Sequence, residues 1–259
     1  MNIPNDFASL KELLDQSYSK FACRLFVDND PIQVPHRFTA NADIEISGLF
    51  AATIAWGNRK SIINSMNKLI EAMGNRPYDF VTNFKPADSK YIDGFVHRTF
   101  NSTDVVSFIG SLQDIYTNKG GLKSIFSTGL KNAGSVQGAI GYFRNTFINS
   151  QFEARSTKHI PDVTKGSAAK RLNMYLRWMV RPSTEGVDFG IWDEIPTSKL
   201  LIPLDVHVAR VARALGLLQR SQNDMKTVIE LTNELKKFDP VDPIKYDFAL
   251  FGLGVYGAL

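Results

Sequence analysis

A single cysteine, Cys23, occurs in 259 residues. One thiol excludes an intrachain disulfide and any cysteine-built metal or iron–sulfur cluster. It suits a reducing compartment, so the expected location is the cytoplasm. No window approaches the roughly 20 uncharged apolar residues that a membrane span requires. The start, MNIPNDFASLKELLD, is polar and lacks the apolar centre of a signal peptide. Period-two alternation is sparse, which argues against a sheet protein. Internal repeats, low-complexity tracts and Pro/Gly/Ser-rich linkers are also lacking, so one compact unit over 1–259 is expected, with a bilobed form as the variant.

What the chain has is helical periodicity. DFASLKELLDQSYSKFACRLF places Phe7, Leu10, Leu13, Leu14, Tyr18 and Phe21 along one 3.6-residue stripe. DIEISGLFAATIAW is apolar on most faces and is expected at the centre of the core. RKSIINSMNKLIEAMG predicts an amphipathic helix ending at Gly74. STDVVSFIGSLQDIY offers Ser102 and Thr103 as N-caps, and SVQGAIGYFRNTFI predicts a further short helix. The fold class is therefore all-α. Two long connections, 29–43 and 182–198, carry aromatic and basic residues and read either as connectors or as ligand contacts.

The net charge is only +4, but it is unevenly placed. Between Arg155 and Arg181 lie seven basic residues against one acid, Asp162, so this window is +6 and the rest of the chain is −2. Such a segment reads either as a polyanion-facing patch or as a solvated helix face. Within it, KGSAAKRLNMYLRWMVRP predicts a helix with Lys170 in its first turn. A helix N-terminus carries positive partial charge and disfavours a cation. An amine nucleophile requires an environment that disfavours its charged form. The placement of Lys170 therefore fits a nucleophile, with an exposed lysine contacting phosphate or water as the alternative. Downstream, LDVHVARVARALGL opens with Asp205 as an N-cap and closes at Gly216.

Taken together, a glycine-bearing loop, a first-turn lysine, an apolar helix and PLDVHVARVARALGL resemble the helix-hairpin-helix DNA glycosylase superfamily. That family carries a hairpin of the form L-P-G-V-G-x-K and a downstream V/L-D-x-H-V-x-R-x-x-x-R-L-G-L segment. The long connection and the tail DPVDPIKYDFALFGLGVYG are similar to the archaeal 8-oxoguanine glycosylase branch. The hairpin departs from the pattern: in TKGSAAK, Gly166 matches the first glycine and Ala168 replaces the second. The whole chain, with DPI and PHRF between 30 and 38 and AWGNR at 55–59, is also similar to an uncharacterised bacterial family known only as a domain of unknown function.

The resemblance implies a bilobed helical bundle with its hairpin and catalytic segment at about 160–216. It implies a DNA glycosylase/AP lyase that removes a damaged purine, 8-oxoguanine being the example, through a Schiff base on Lys170 assisted by Asp205. The partner implied is damaged duplex DNA met by a monomer, with no membrane, cofactor or metal. Met174, one turn beyond Lys170, is expected to face the flipped base. Trp56, Trp178, Phe248 and Phe251 are candidate base-pocket aromatics, each with ordinary core packing as its alternative. Lys165, Gly166, Ser167, Arg171, His207, Arg37 and Arg59 are candidate DNA contacts. The competing class is a non-catalytic helix-hairpin-helix protein that binds nucleic acid.

Overall fold

The computed structural model describes residues 6–149 and 151–256. The first five residues of the polar N-terminal stretch and Gly257, the last residue of the tail segment, lie outside the described residues. The α-helices in chain order are α1 (Phe7–Phe21), α2 (Arg24–Asp28), α3 (Asn41–Thr53), α4 (Arg59–Ala72), α5 (Pro77–Thr82), α6 (Ser102–Asn118), α7 (Gly121–Ala133), α8 (Val136–Phe147), α9 (Lys170–Val180), α10 (Val206–Ala214), α11 (Met225–Phe238) and α12 (Tyr246–Val255). Strand among the described residues is confined to one antiparallel pair, β1 (Val96–His97) with β2 (Phe100–Asn101). Among these residues no helix is long and apolar enough to cross a membrane.

The chain divides into two compact units: Met1–Phe26 with Val163–Leu259, and Val27–Asp162. The second is built around α3, whose residues from Ile44 to Thr53 are all buried, as its all-round apolar sequence requires. Phe50, Phe100, Phe108 and Phe147 interlock there, with Phe108 to Phe147 centroids 5.0 Å apart. The cap of α6 sits one residue before the predicted Ser102. Asn101 accepts from the backbone N–H groups of Thr103 and Asp104, and Asp104 accepts from that of Asn101 in return. This reciprocal box satisfies orphan donors that a serine alone would leave. Asp104, fully buried, also accepts from Ser156 at 2.6 Å and Arg155 at 2.9 Å.

In the first unit, α12 packs between α1 and α10. Two glycines permit the approach. A Cβ at Gly252 would stand 2.1 Å from the Phe21 ring, and one at Gly254 3.1 Å from His207 Cβ. The Gly254 carbonyl accepts from Arg210 Nη2 at 2.7 Å. α9 is buried from Leu172 to Val180, and the 182–198 connection ties to its last turn. Phe189 N–H donates to the Trp178 carbonyl and Trp192 N–H to that of Met179. The connection thereby replaces the helix partners that α9's terminal carbonyls lack.

The predicted basic patch is not one surface. Arg177 and Arg181 are 3% and 2% exposed and turn inward. Arg177 pairs with Asp188 at 3.2 Å and with Asp247. Arg181 pairs with Asp188 at 2.7 Å and Asp242 at 2.8 Å and donates to Tyr18 at 3.1 Å. A guanidinium loses too much hydration to be buried without such partners. Burial opposes the Arg181 charge, but Asp188 and Asp242 outweigh it, and the pKa is raised above its ordinary value.

Candidate active site

The site is assembled at the starts of two helices. Before α9, Gly166 at φ +84° turns the chain, and its carbonyl accepts from Met225 N–H at 3.0 Å, the first residue of α11. Ala168, which stands where the helix-hairpin-helix pattern has its second glycine, is not at positive φ; the left-handed residue is Ala169, at φ +48°. An alanine at position 168 therefore costs no backbone strain. Asn173, buried on the first turn of α9, holds the loop by donating from Nδ2 to the Ala168 carbonyl at 3.0 Å. Ala169 offers no side-chain cap, and α9 carries no acid in its first turn. Lys170 is its first residue.

Lys170 Nζ lies 3.9 Å from Asp205 Oδ2 and 3.8 Å from Met174 Sδ. The lysine side chain is 30% exposed and that of Asp205 19%. The separation gives Coulombic attraction without a full hydrogen bond. Asp205 stands before α10 with extended backbone, and its Oδ1 accepts from His207 N–H and Val208 N–H, both at 2.9 Å. One oxygen fixes the helix start while the other faces the amine.

A second carboxyl, not among the residues expected from the sequence, couples electrostatically to this pair. Asp247, on the first turn of α12, is 5% exposed and accepts from Arg177. Burial pushes its pKa up to about 6; Arg177 and Lys170 work against this rise, and the Asp205 charge adds to it. The available signal was an aspartate in the otherwise apolar helix YDFALFGLGV, facing a helix with a lysine and an arginine seven residues apart.

The remaining candidates divide. Met174 is buried beside the amine. Phe251 is half-buried and presents its ring to His207 at 6.4 Å, close to the start of α10. His207 and Lys165 are exposed, and Gly166, Ser167 and Arg171 are half-buried. Burial lowers the pKa of the Arg171 guanidinium. Trp178 and Phe248 are core residues, 0% and 1% exposed, so they line no open pocket. Trp178 packs inside α9's surroundings, and Phe248 lies under Arg177, 4.3 Å from ring centroid to guanidinium. Trp56, Arg37 and Arg59 belong to the other unit. There Trp56 stacks on His159 at 6.1 Å and meets His97 edge-on at 5.5 Å. Arg37 donates to Asn67 at 3.1 Å and Asn75 at 2.6 Å, and Arg59 opens α4. Among the described residues no group of three His, Cys, Asp or Glu is placed to hold a metal ion.

No curated protein and no solved structure matches this chain. A family model does, over residues 30–256, which spans both units and includes Lys170, Asp205 and Asp247. The chain belongs to the family described as protein of unknown function (DUF2400).

Proposed function

We propose that this protein is a DNA glycosylase/lyase that excises a damaged purine, 8-oxoguanine being the leading candidate, through a Schiff base on Lys170. The observation that carries the reading is the approach of Lys170 Nζ to Asp205 Oδ2, 3.9 Å, with both groups partly exposed. Two helix starts far apart in sequence bring an amine and a carboxylate together, and among the described residues neither takes part in another ion pair.

The chemistry follows from the parts. The damaged nucleotide leaves the stack and enters the site. Asp205, held by its cap, supplies fixed negative charge beside the developing oxocarbenium ion and needs no reorganisation to do so. The Lys170 amine attacks the anomeric carbon as the bond to the base breaks. Ring opening gives an iminium, and loss of the 3′ phosphate by β-elimination nicks the strand. Met174 provides a soft apolar neighbour for the amine and base.

Borohydride trapping on an oligonucleotide with an abasic site or 8-oxoguanine tests the reading. The expected result is a covalent adduct that Lys170→Gln abolishes while DNA affinity stays within about twofold. Full trapping by Lys170→Gln would displace the nucleophile. Tight DNA binding with no adduct from any variant would favour a non-catalytic nucleic-acid binder.

A further inference from the structure

Among the described methionines, Met66 and Met179 are 0% exposed, Met73 2% and Met225 3%, whereas Met174 is 8% exposed. Its sulfur stands 3.8 Å from Lys170 Nζ, and the lysine side chain is itself 30% exposed. The methionine with most access to solvent is thus the one that touches the candidate nucleophile.

The ammonium is loosely held. At 3.8 Å the thioether is a weak acceptor. Asp205 Oδ2, at 3.9 Å, lies beyond ordinary hydrogen-bond length. An ammonium has three donors, and neither neighbour grips one. That slackness leaves the amine able to lose a proton and turn to a substrate.

Oxidation of the sulfur reverses this balance. A sulfoxide replaces the weak acceptor with a strongly polar oxygen. At a site this buried the oxygen needs a donor, because an unpaired polar group there is costly. The Lys170 ammonium is already in contact with the sulfur. The rotatable bonds of the side chain let the oxygen swing toward it and close the gap to hydrogen-bond length. The ammonium is then bracketed by the sulfoxide oxygen and the Asp205 carboxylate, and both favour its charged form. Arg177, three residues further along α9, is taken up by Asp188 and Asp247 and does not compete.

We propose that Met174 is an oxidation site whose sulfoxide captures the Lys170 ammonium; its consequence, loss of Schiff-base formation, rests on the lyase reading above. The oxidant is a hydroperoxide, hydrogen peroxide being the smallest. The thioether sulfur gives an electron pair to one peroxide oxygen, and the S–O bond forms as the O–O bond breaks. The second oxygen leaves as water, carrying both peroxide hydrogens. Sulfur is oxidised by two electrons and the peroxide is reduced by two. Methionine sulfoxide reductases, supplied with a thiol reductant, return the thioether. A protein that nicks DNA at oxidative lesions thereby stops making breaks while peroxide is high and resumes on reduction.

The experiment compares the full-length protein before and after hydrogen peroxide. Peptide mass spectrometry reads oxidation at each methionine. Acetic anhydride labelling, without DNA and at fixed pH, reads the free amine at Lys170. Borohydride trapping on abasic DNA reads its chemistry. Met174 should oxidise ahead of Met66, Met73, Met179 and Met225. Its sulfoxide should slow Lys170 labelling about tenfold or more, the scale of one charge-assisted hydrogen bond. The exposed Lys60 on α4 should label as before. Trapping should slow with Lys170 labelling, and sulfoxide reductase should restore both. Met174→Leu is compared with itself: whatever its own rates, peroxide should leave them unchanged. Cys23 remains in that variant, so an effect of thiol oxidation would persist there. Met174→Gln, which sets a carbonyl oxygen near the sulfur position, should label slowly with no oxidant. Melting curves confirm that each protein compared is folded. Unchanged Lys170 labelling once Met174 is oxidised, or peroxide inhibition undiminished in Met174→Leu, overturns the proposal. Slowed labelling in a protein that gives no adduct even before oxidation removes the lyase reading and leaves the captured amine standing.

Discussion

Asp205 divides its carboxylate between two partners: Oδ1 receives the His207 and Val208 N–H groups at 2.9 Å, and Oδ2 faces Lys170 Nζ at 3.9 Å. Structure and chemistry can therefore be separated by choice of substituent. Asp205→Asn retains an acceptor for the helix start and removes the charge. It should keep the wild-type melting temperature and lose trapping on damaged DNA. Asp205→Ala should lose trapping too, and about 1 kcal/mol of stability with the cap. Thermal melts beside trapping assays read both; equal stability of the two variants would show that the cap contributes nothing.

The inward arginines make a second contrast. Arg181→Gln leaves Asp188 and Asp242 without their shared cation and should destabilise by about 3–5 kcal/mol. It should not alter the salt dependence of DNA binding in whatever folded fraction remains. Lys165→Ala, an exposed residue in the loop before α9, should do the reverse: stability within about 0.5 kcal/mol, and a salt slope smaller by about one. Denaturant melts and affinity titrations across salt concentrations provide the check.

Asp247 should also imprint its titration on stability. Its folded pKa, about 6, lies above the unfolded value of 3.8. The folded state therefore binds more protons between these values, so this contribution is fully present below pH 3.8 and is lost as pH rises through 6. Relative to Asp247→Asn, the wild type should lose up to about 3 kcal/mol between pH 4 and 7. Paired denaturant melts across that range measure it, and a constant difference between the two proteins would refute it.

Gly254→Ala should act on the site through α10. The new methyl would meet His207 Cβ at 3.1 Å and the His207 carbonyl at 3.3 Å, two residues from Asp205. Relief requires α10 to shift by a few tenths of an ångström or α12 to withdraw. The expected cost is about 1–3 kcal/mol, together with slower adduct formation and unchanged affinity for undamaged DNA. Wild-type melting would mean that the two helices accommodate the methyl freely.

Much of this was legible in the sequence because each signal was local. The α3 run is apolar on every side and could only be central. Asp205 before VHVARV, and Ser135 before VQGAIG, cap the helices that their spacing announced. The first amphipathic stretch runs in sequence to Phe26, but the helix ends at Phe21, where the Ala22 N–H closes on the Tyr18 carbonyl, and resumes as α2. α7 is not legible because its entry is Gly120-Gly121, both at positive φ, and two lysines, two serines and a threonine thin its stripe. The inward turn of Arg177 and Arg181 was not legible. Its cause lies in Asp188, Asp242 and Asp247, up to 70 residues away, and sequence charge counts do not record which cation meets which anion. Trp178 and Phe248 lie in the core for a related reason: an aromatic close to a polar pair serves packing as readily as a ligand.

The left-handed turn at Ala169 reaches beyond the loop that contains it. Few alanines rest there unaided, so the first turn of α9 is imposed by the Asn173 amide and by the grip of Met225 on Gly166 rather than by local preference. Excised as a peptide, residues 163–181 would abandon that entry, and the amine would become one more solvated lysine on a wandering chain. The placement of the amine at position 170 is thus a property conferred by the assembled unit, and it should be lost at the same denaturant concentration at which α11 lets go.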